Sequence, residues 1–177
     1  MRDVRGLAPI LKTKAERLED LFAFTLLLER TKNNMAVEYS YPLVQAVEVD
    51  ENILFLNGNR ACKKALIMHN DASGVFRIKG VSNAYKTIYK VHFNANIAIA
   101  EGGTVEPISV ALKQNGEVLR NAIATVTPAA IGDFWNVSLE TFLELPCDCC
   151  DTVSVENISE TTAIDVVNAN LIIDRVA

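Results

Sequence analysis

YKTIYKVHFNANIAIA, residues 85–100, places Tyr85, Thr87, Tyr89, Val91, Phe93, Ala95, Ile97 and Ile99 at odd positions. The even positions carry Lys86, Lys90, His92, Asn94 and Asn96, with Ile88, Ala98 and Ala100 as the apolar exceptions. Alternation with a period of two marks a β-strand that buries one face and turns the other outward. At about 3.3 Å per residue the run would reach roughly 50 Å, far longer than an ordinary strand. It therefore predicts one strand that bends, or two joined by a bulge between Asn94 and Asn96.

Downstream, the long run is ended by Gly102-Gly103. Residues 107–114 set Ile108, Val110 and Leu112 on one face, and Asn115-Gly116 then supplies the dipeptide of a two-residue hairpin. Residues 117–127 form the return strand, closed by Pro128. Residues 133–145 (DFWNVSLETFLEL) place Trp135, Val137, Leu139, Thr141, Leu143 and Leu145 on an apolar face, opposite Asn136, Ser138, Glu140 and Glu144. Strands at 151–158 and 163–176 follow. In the last, the apolar set switches from even (Ile164, Val166) to odd (Leu171, Ile173), which predicts a bulge near Asn168 and Asn170. Upstream, short apolar runs at 43–49, 52–56, 64–69 and 75–79 are separated by Asn57-Gly58 and by Asp71-Ala72-Ser73-Gly74. The expected fold is mainly β: an antiparallel β-sandwich of about 8–10 strands over residues 39–177.

Residues 1–38 read differently. Between 7 and 32, positions 11, 14, 18, 21, 25 and 28 follow a heptad rhythm. Pro9 suits a first helical turn, and Arg30 and Lys32 suit the C-terminal end. This predicts one N-terminal α-helix. Its second half, LFAFTLLL, is apolar nearly all round and needs burial on several sides. Three settings fit: across its own domain, at an oligomer axis through Leu18, Leu21, Phe22, Thr25 and Leu28, or on a membrane surface. The last is opposed by Glu16, Glu19, Asp20 and Glu29.

The chain has 177 residues, half of them hydrophobic, 22% charged, and a net charge of −5. That supports one globular domain with a full core and argues against a nucleic-acid partner, which selects a basic face. No secretory signal is visible and no apolar run is long enough to span a bilayer, so cytoplasmic synthesis without a membrane anchor is expected. Cys62, Cys147, Cys149 and Cys150 do not make a disulfide framework.

The order of long strand (YKVHFNANIAIA), strand with a QNG turn (ISVALKQNGEVL), aromatic strand (FWNVSLETFLEL), cysteine-containing loop, TVSVENIS and closing NANLIIDRVA resembles the jelly roll of the tumour-necrosis-factor and complement-globular-head superfamily. Among its members it is most similar to bacterial exosporium-tip and phage head-fibre or decoration domains. The resemblance covers roughly residues 80–177. It implies a homotrimer with aromatic and aliphatic residues, Tyr89 among them, buried between subunits, and a non-enzymatic structural role in a virion or related surface assembly. There is no Gly-X-Y stalk, which favours the virion setting. The 7–32 helix would stand in its place as a trimerising segment or a dock onto a capsid or other surface protein.

Chemistry-bearing clusters are few. His69 and His92 read as structural or surface residues, since no GxSxG, phosphate loop or HExxH accompanies them, and a cupin-like metal site would need more histidines. The CDCC run admits packing or unpaired thiols, a Cys147–Cys150 disulfide, or a metal held by Cys147, Cys149 and Cys150. No cofactor is required. A carbohydrate- or receptor-binding module is the alternative function. Its glycan-contacting candidates are Asp133, Phe134 and Asn136 beside Trp135, which itself falls on the expected core face.

Overall fold

A computed structural model of the chain describes residues 36–56, 66–82 and 85–176. Among the described residues, ten antiparallel strands form two five-stranded sheets facing each other. They are β1 (Ala36–Tyr41), β2 (Gln45–Val47), β3 (Ile67–His69), β4 (Val75–Lys79), β5 (Lys86–Ile99), β6 (Ile108–Gln114), β7 (Glu117–Val126), β8 (Trp135–Pro146), β9 (Cys150–Asn157) and β10 (Ile164–Arg175). One sheet runs β1-β10-β5-β8, with β2 also pairing β10; the other runs β3-β4-β9-β6-β7. The described residues contain no helix. The helix expected at 7–32 lies outside them, as do Cys62 and the Asn57-Gly58 turn.

The long alternating run is a single fourteen-residue strand, β5, hydrogen-bonded on both sides. Its odd residues Thr87, Tyr89, Val91, Phe93, Ala95, Ile97 and Ile99 are buried between the sheets. All but Thr87 join Phe55, Phe76, Ile78, Leu112, Val155, Leu171 and Ile173 in one apolar cluster. Removing this much apolar surface from water is what drives the two sheets together.

The irregularity expected near Asn94 and Asn96 is present, but the extra residue sits on the partner strand. Val167 pairs with Asn96 and Asn170 with Asn94, so β10 spends three steps where β5 spends two. Asn168 takes φ 55° there. A bulge of this kind resets which side chains face inward. That is why Ile164 and Val166 point into the core before it, and Leu171 and Ile173 after it.

Asn115 (φ 53°) and Gly116 (φ 84°) make the left-handed two-residue turn that joins β6 to β7. Gly80 is required by close approach: a Cβ there would collide with the carbonyl oxygen of Pro146, at the turn from β8 to β9. Gly80 N–H donates to Cys149 O (2.8 Å), tying that turn to the end of β4.

Two expectations for the first half are corrected. Residues 52–56 form no strand; only isolated bridges join Asn52 to Glu156, Phe55 to Ser73 and Leu56 to Ser40. The Gln45 amide replaces ladder bonds there, its Nε2 donating to Leu54 O (3.1 Å) and its Oε1 accepting from Leu54 N–H (2.8 Å). Conversely, AVEYSY at 36–41 is a true strand, β1, paired along its length with β10.

Candidate functional site

With the odd face of β5 closed inside the sandwich, any functional surface of this sheet lies on its even face. Cross-strand register fixes what assembles there. One row reads Glu38, Ile172, His92 and Glu140; the next reads Ala36, Asp174, Lys90 and Phe142. Ion pairs link the strands: Lys90 Nζ to Glu140 (2.9 Å) and Lys86 Nζ to Glu144 (2.8 Å). Asn170 Nδ2 donates to Glu38 (2.6 Å). Toward the far end, Asn136 Nδ2 donates to Ala95 O and to Asn96 Oδ1, each 3.2 Å.

Amid these polar rows Phe142 is 59% exposed. On β8 every other even position from Asn136 to Glu144 is polar, so Phe142 breaks the pattern. That interruption was readable in DFWNVSLETFLEL and is the signal that sequence reasoning overlooked. A second apolar patch lies at the opposite margin of the same sheet. Leu43 and Val44, between β1 and β2, are 66% and 57% exposed.

An open depression on this face is lined by Lys90, His92, Glu140, Ile172 and Asp174. About a third of the His92 side chain is exposed. Its Nδ1 is nonetheless turned away from solvent, 3.7 Å from the Glu140 carboxylate. His69 belongs elsewhere: its Nε2 lies 2.7 Å from Ser73 O and its ring stacks on Phe76. The two histidines therefore share no site.

The expected site residues fall as follows. Tyr89, expected between subunits, is wholly buried inside its own sandwich, and its hydroxyl donates to Lys79 O (2.6 Å). Parity places it on the inner face, so it is not a surface residue. Burial pushes its phenol up to about 12, against the opposing pull of the Arg175 guanidinium. Leu18, Leu21, Phe22, Thr25 and Leu28 lie outside the described residues.

Trp135 is not in the core. It shares parity with Val137 but sits at the open end of β8, 46% exposed, with its indole N–H donating to Asp133 (3.2 Å). Phe134 and Asn136 are exposed beside it, so Asp133, Phe134, Trp135 and Asn136 form a surface group, with the Asn136 amide engaged as above.

Cys147, Cys149 and Cys150 are exposed free thiols around a tight turn in which Asp148 takes φ 56°. No Cys147–Cys150 disulfide is formed. Among the described residues, no three His, Cys, Asp or Glu side chains are grouped to hold a metal ion.

At the loop end of the sandwich, the Glu106 carboxylate accepts from Thr161 Oγ1 (2.7 Å). Hydrogen bonds from the Thr162 and Thr161 hydroxyls hold its carboxyl below the usual range, joining the β5–β6 and β9–β10 loops.

No protein-family model matches the chain, and no curated protein matches it. Solved structures do. Murine APRIL aligns at a TM-score of 0.56 with 8% identity, covering 81% of this chain and all of that one. The Eiger TNF of S. frugiperda aligns at 0.54 with 12% identity, over 81% of this chain and 93% of that one. The globular domain of zebrafish complement 1qA gives 0.47 with 10% identity, over 82% and 98%. The fold is the TNF-like jelly roll; identities this low speak to fold alone.

Proposed function

We propose that the protein is a non-enzymatic structural subunit that assembles into a homotrimer, in a phage virion as a head-fibre or decoration component or in a related surface assembly. The observation that carries the self-association is the exposure of large apolar side chains at two margins of one sheet, Phe142 on β8 and Leu43 with Val44 in the β1–β2 connection. A cyclic assembly joins two different patches of the same chain, so that each copy both offers and receives. Large apolar side chains left in water at two separate margins suit that geometry. The virion assignment rests on the resemblance of the strand order to phage head-fibre domains. In this reading the segment before β1, helical over 7–32, reinforces the trimer or docks onto a capsid or other surface protein.

Light scattering after size exclusion tests the reading, on the full chain and on a form lacking residues 1–34. A trimer that survives the deletion places the interface in the sandwich. One lost with the deletion assigns it to the N-terminal segment. A full-length monomer overturns the proposal.

A second reading, a carbohydrate-binding module on the same trimer, is favoured by the exposed Trp135 whose indole is oriented by Asp133. A sugar ring stacks on such a surface, with neighbouring acceptors taking its hydroxyls. Binding on a glycan array that Phe134→Ala and Trp135→Ala abolish would support it. No binding at millimolar sugar would count against it.

A further inference from the structure

We infer that self-association through the β10-β5-β8 face is proton-linked, with His92 as the group that takes up the proton; this rests on the trimer reading above. The warrant is the composition of the depression. His92 on β5 is faced by Glu140 from β8, by Asp174 across β10, by Lys90 on its own strand, and by Glu38 of β1 beyond Ile172. Three carboxylates thus stand against one ammonium, and Lys90 is already committed to Glu140 at 2.9 Å. The whole chain carries −5, so a second copy that covers this acidic face brings a net negative charge toward it. Covering the face removes the water that screens the repulsion and strengthens it.

A proton on His92 is the one change near neutral pH that offsets the excess, because imidazole is the side chain that ordinarily gains charge between pH 5 and 8. Its Nδ1 already sits 3.7 Å from the Glu140 carboxylate, so a proton there turns a near contact into a charge-assisted hydrogen bond after a small adjustment. Assembly and protonation then favour one another. The sign follows. Association is strongest below the imidazole range and weakens as pH rises through it.

The test is sedimentation equilibrium of the full chain across a concentration series at pH 5.5, 6.5 and 8.0, beside His92→Gln and Glu140→Gln. Wild type should associate about fivefold more tightly at pH 5.5 than at 8.0, the scale of one partly exposed charge pair. His92→Gln should lose most of that dependence. Glu140→Gln should associate more tightly than wild type at pH 8.0 and respond less to acid. An unchanged slope in His92→Gln, or a wild-type trimer indifferent to pH, overturns the inference while leaving the trimer standing. A monomer at every pH overturns the trimer reading itself.

Discussion

The two faces of β5 differ in how their needs are met. The inner face, from Thr87 through Phe93 to Ile99, is satisfied within one chain: every odd side chain is buried, and Tyr89, its largest polar group, has its hydroxyl bonded to Lys79 O. The outer face is only half satisfied. Its ion pairs and asparagine bonds join neighbouring strands, yet Phe142 stands in water among them and His92 lacks a hydrogen bond at Nδ1. A sheet whose two faces are so unequal is closed by its own packing on one side and leaves an aromatic ring in water on the other. Substitutions on the inner face should therefore read out in stability, and substitutions on the outer face in mass.

The largest effect belongs inside. Phe93→Ala leaves a cavity between the sheets beside Phe55 and should cost about 3–5 kcal/mol in chemical denaturation. A loss below about 1 kcal/mol would break the claim that this face is closed by close packing. Next comes the outer face. Ile172→Glu adds a charge beside His92, in the row from Glu38 to Glu140; it should weaken self-association about thirtyfold and leave unfolding within about 0.5 kcal/mol. Equal damage to both would erase the distinction.

Tyr89→Phe is smaller, about 1 kcal/mol for a lost hydrogen bond. It also carries a pH signature. The folded phenol is raised from 10.0 to about 12, so its contribution is fully present below pH 10 and fades as pH rises toward 12. The variant's melting temperature should fall less steeply across that window. The smallest effect lies at the loop end. Glu106 is held below the usual carboxylate range by the Thr162 and Thr161 hydroxyls, so its contribution is present above that range and lost as pH falls through the lowered value. Glu106→Gln should melt slightly below wild type at neutral pH, with the gap closing in acid.

How much of this was legible in the sequence follows the same division. Period-two alternation marks the inner residues of β5, β8 and β10, and the parity switch in β10 places the bulge near Asn168 and Asn170 from the sequence alone. The Asn115-Gly116 turn is equally local chemistry. The segment at 52–56 misleads because an apolar run looks the same whether a strand ladder or a Gln45 amide satisfies its backbone. β1 is missed because a six-residue strand that owes its order to β10 carries little signal of its own. Tyr89 is misplaced for a different reason. Alternation separates two faces without saying which one the chain closes for itself, so a large aromatic can be assigned to a subunit boundary when it belongs to the core. Trp135 shows the converse: its parity is right, but a strand end has no opposite sheet to cover it.

The most direct test is the solution mass of the full chain beside Phe142→Asp, by light scattering at matched concentration, with circular dichroism confirming that both are folded. Wild type should weigh three times the 19.4 kDa chain, and the variant should shift to a single chain. A wild-type monomer, or a variant as trimeric as wild type, would contradict the assignment of self-association to the outer face.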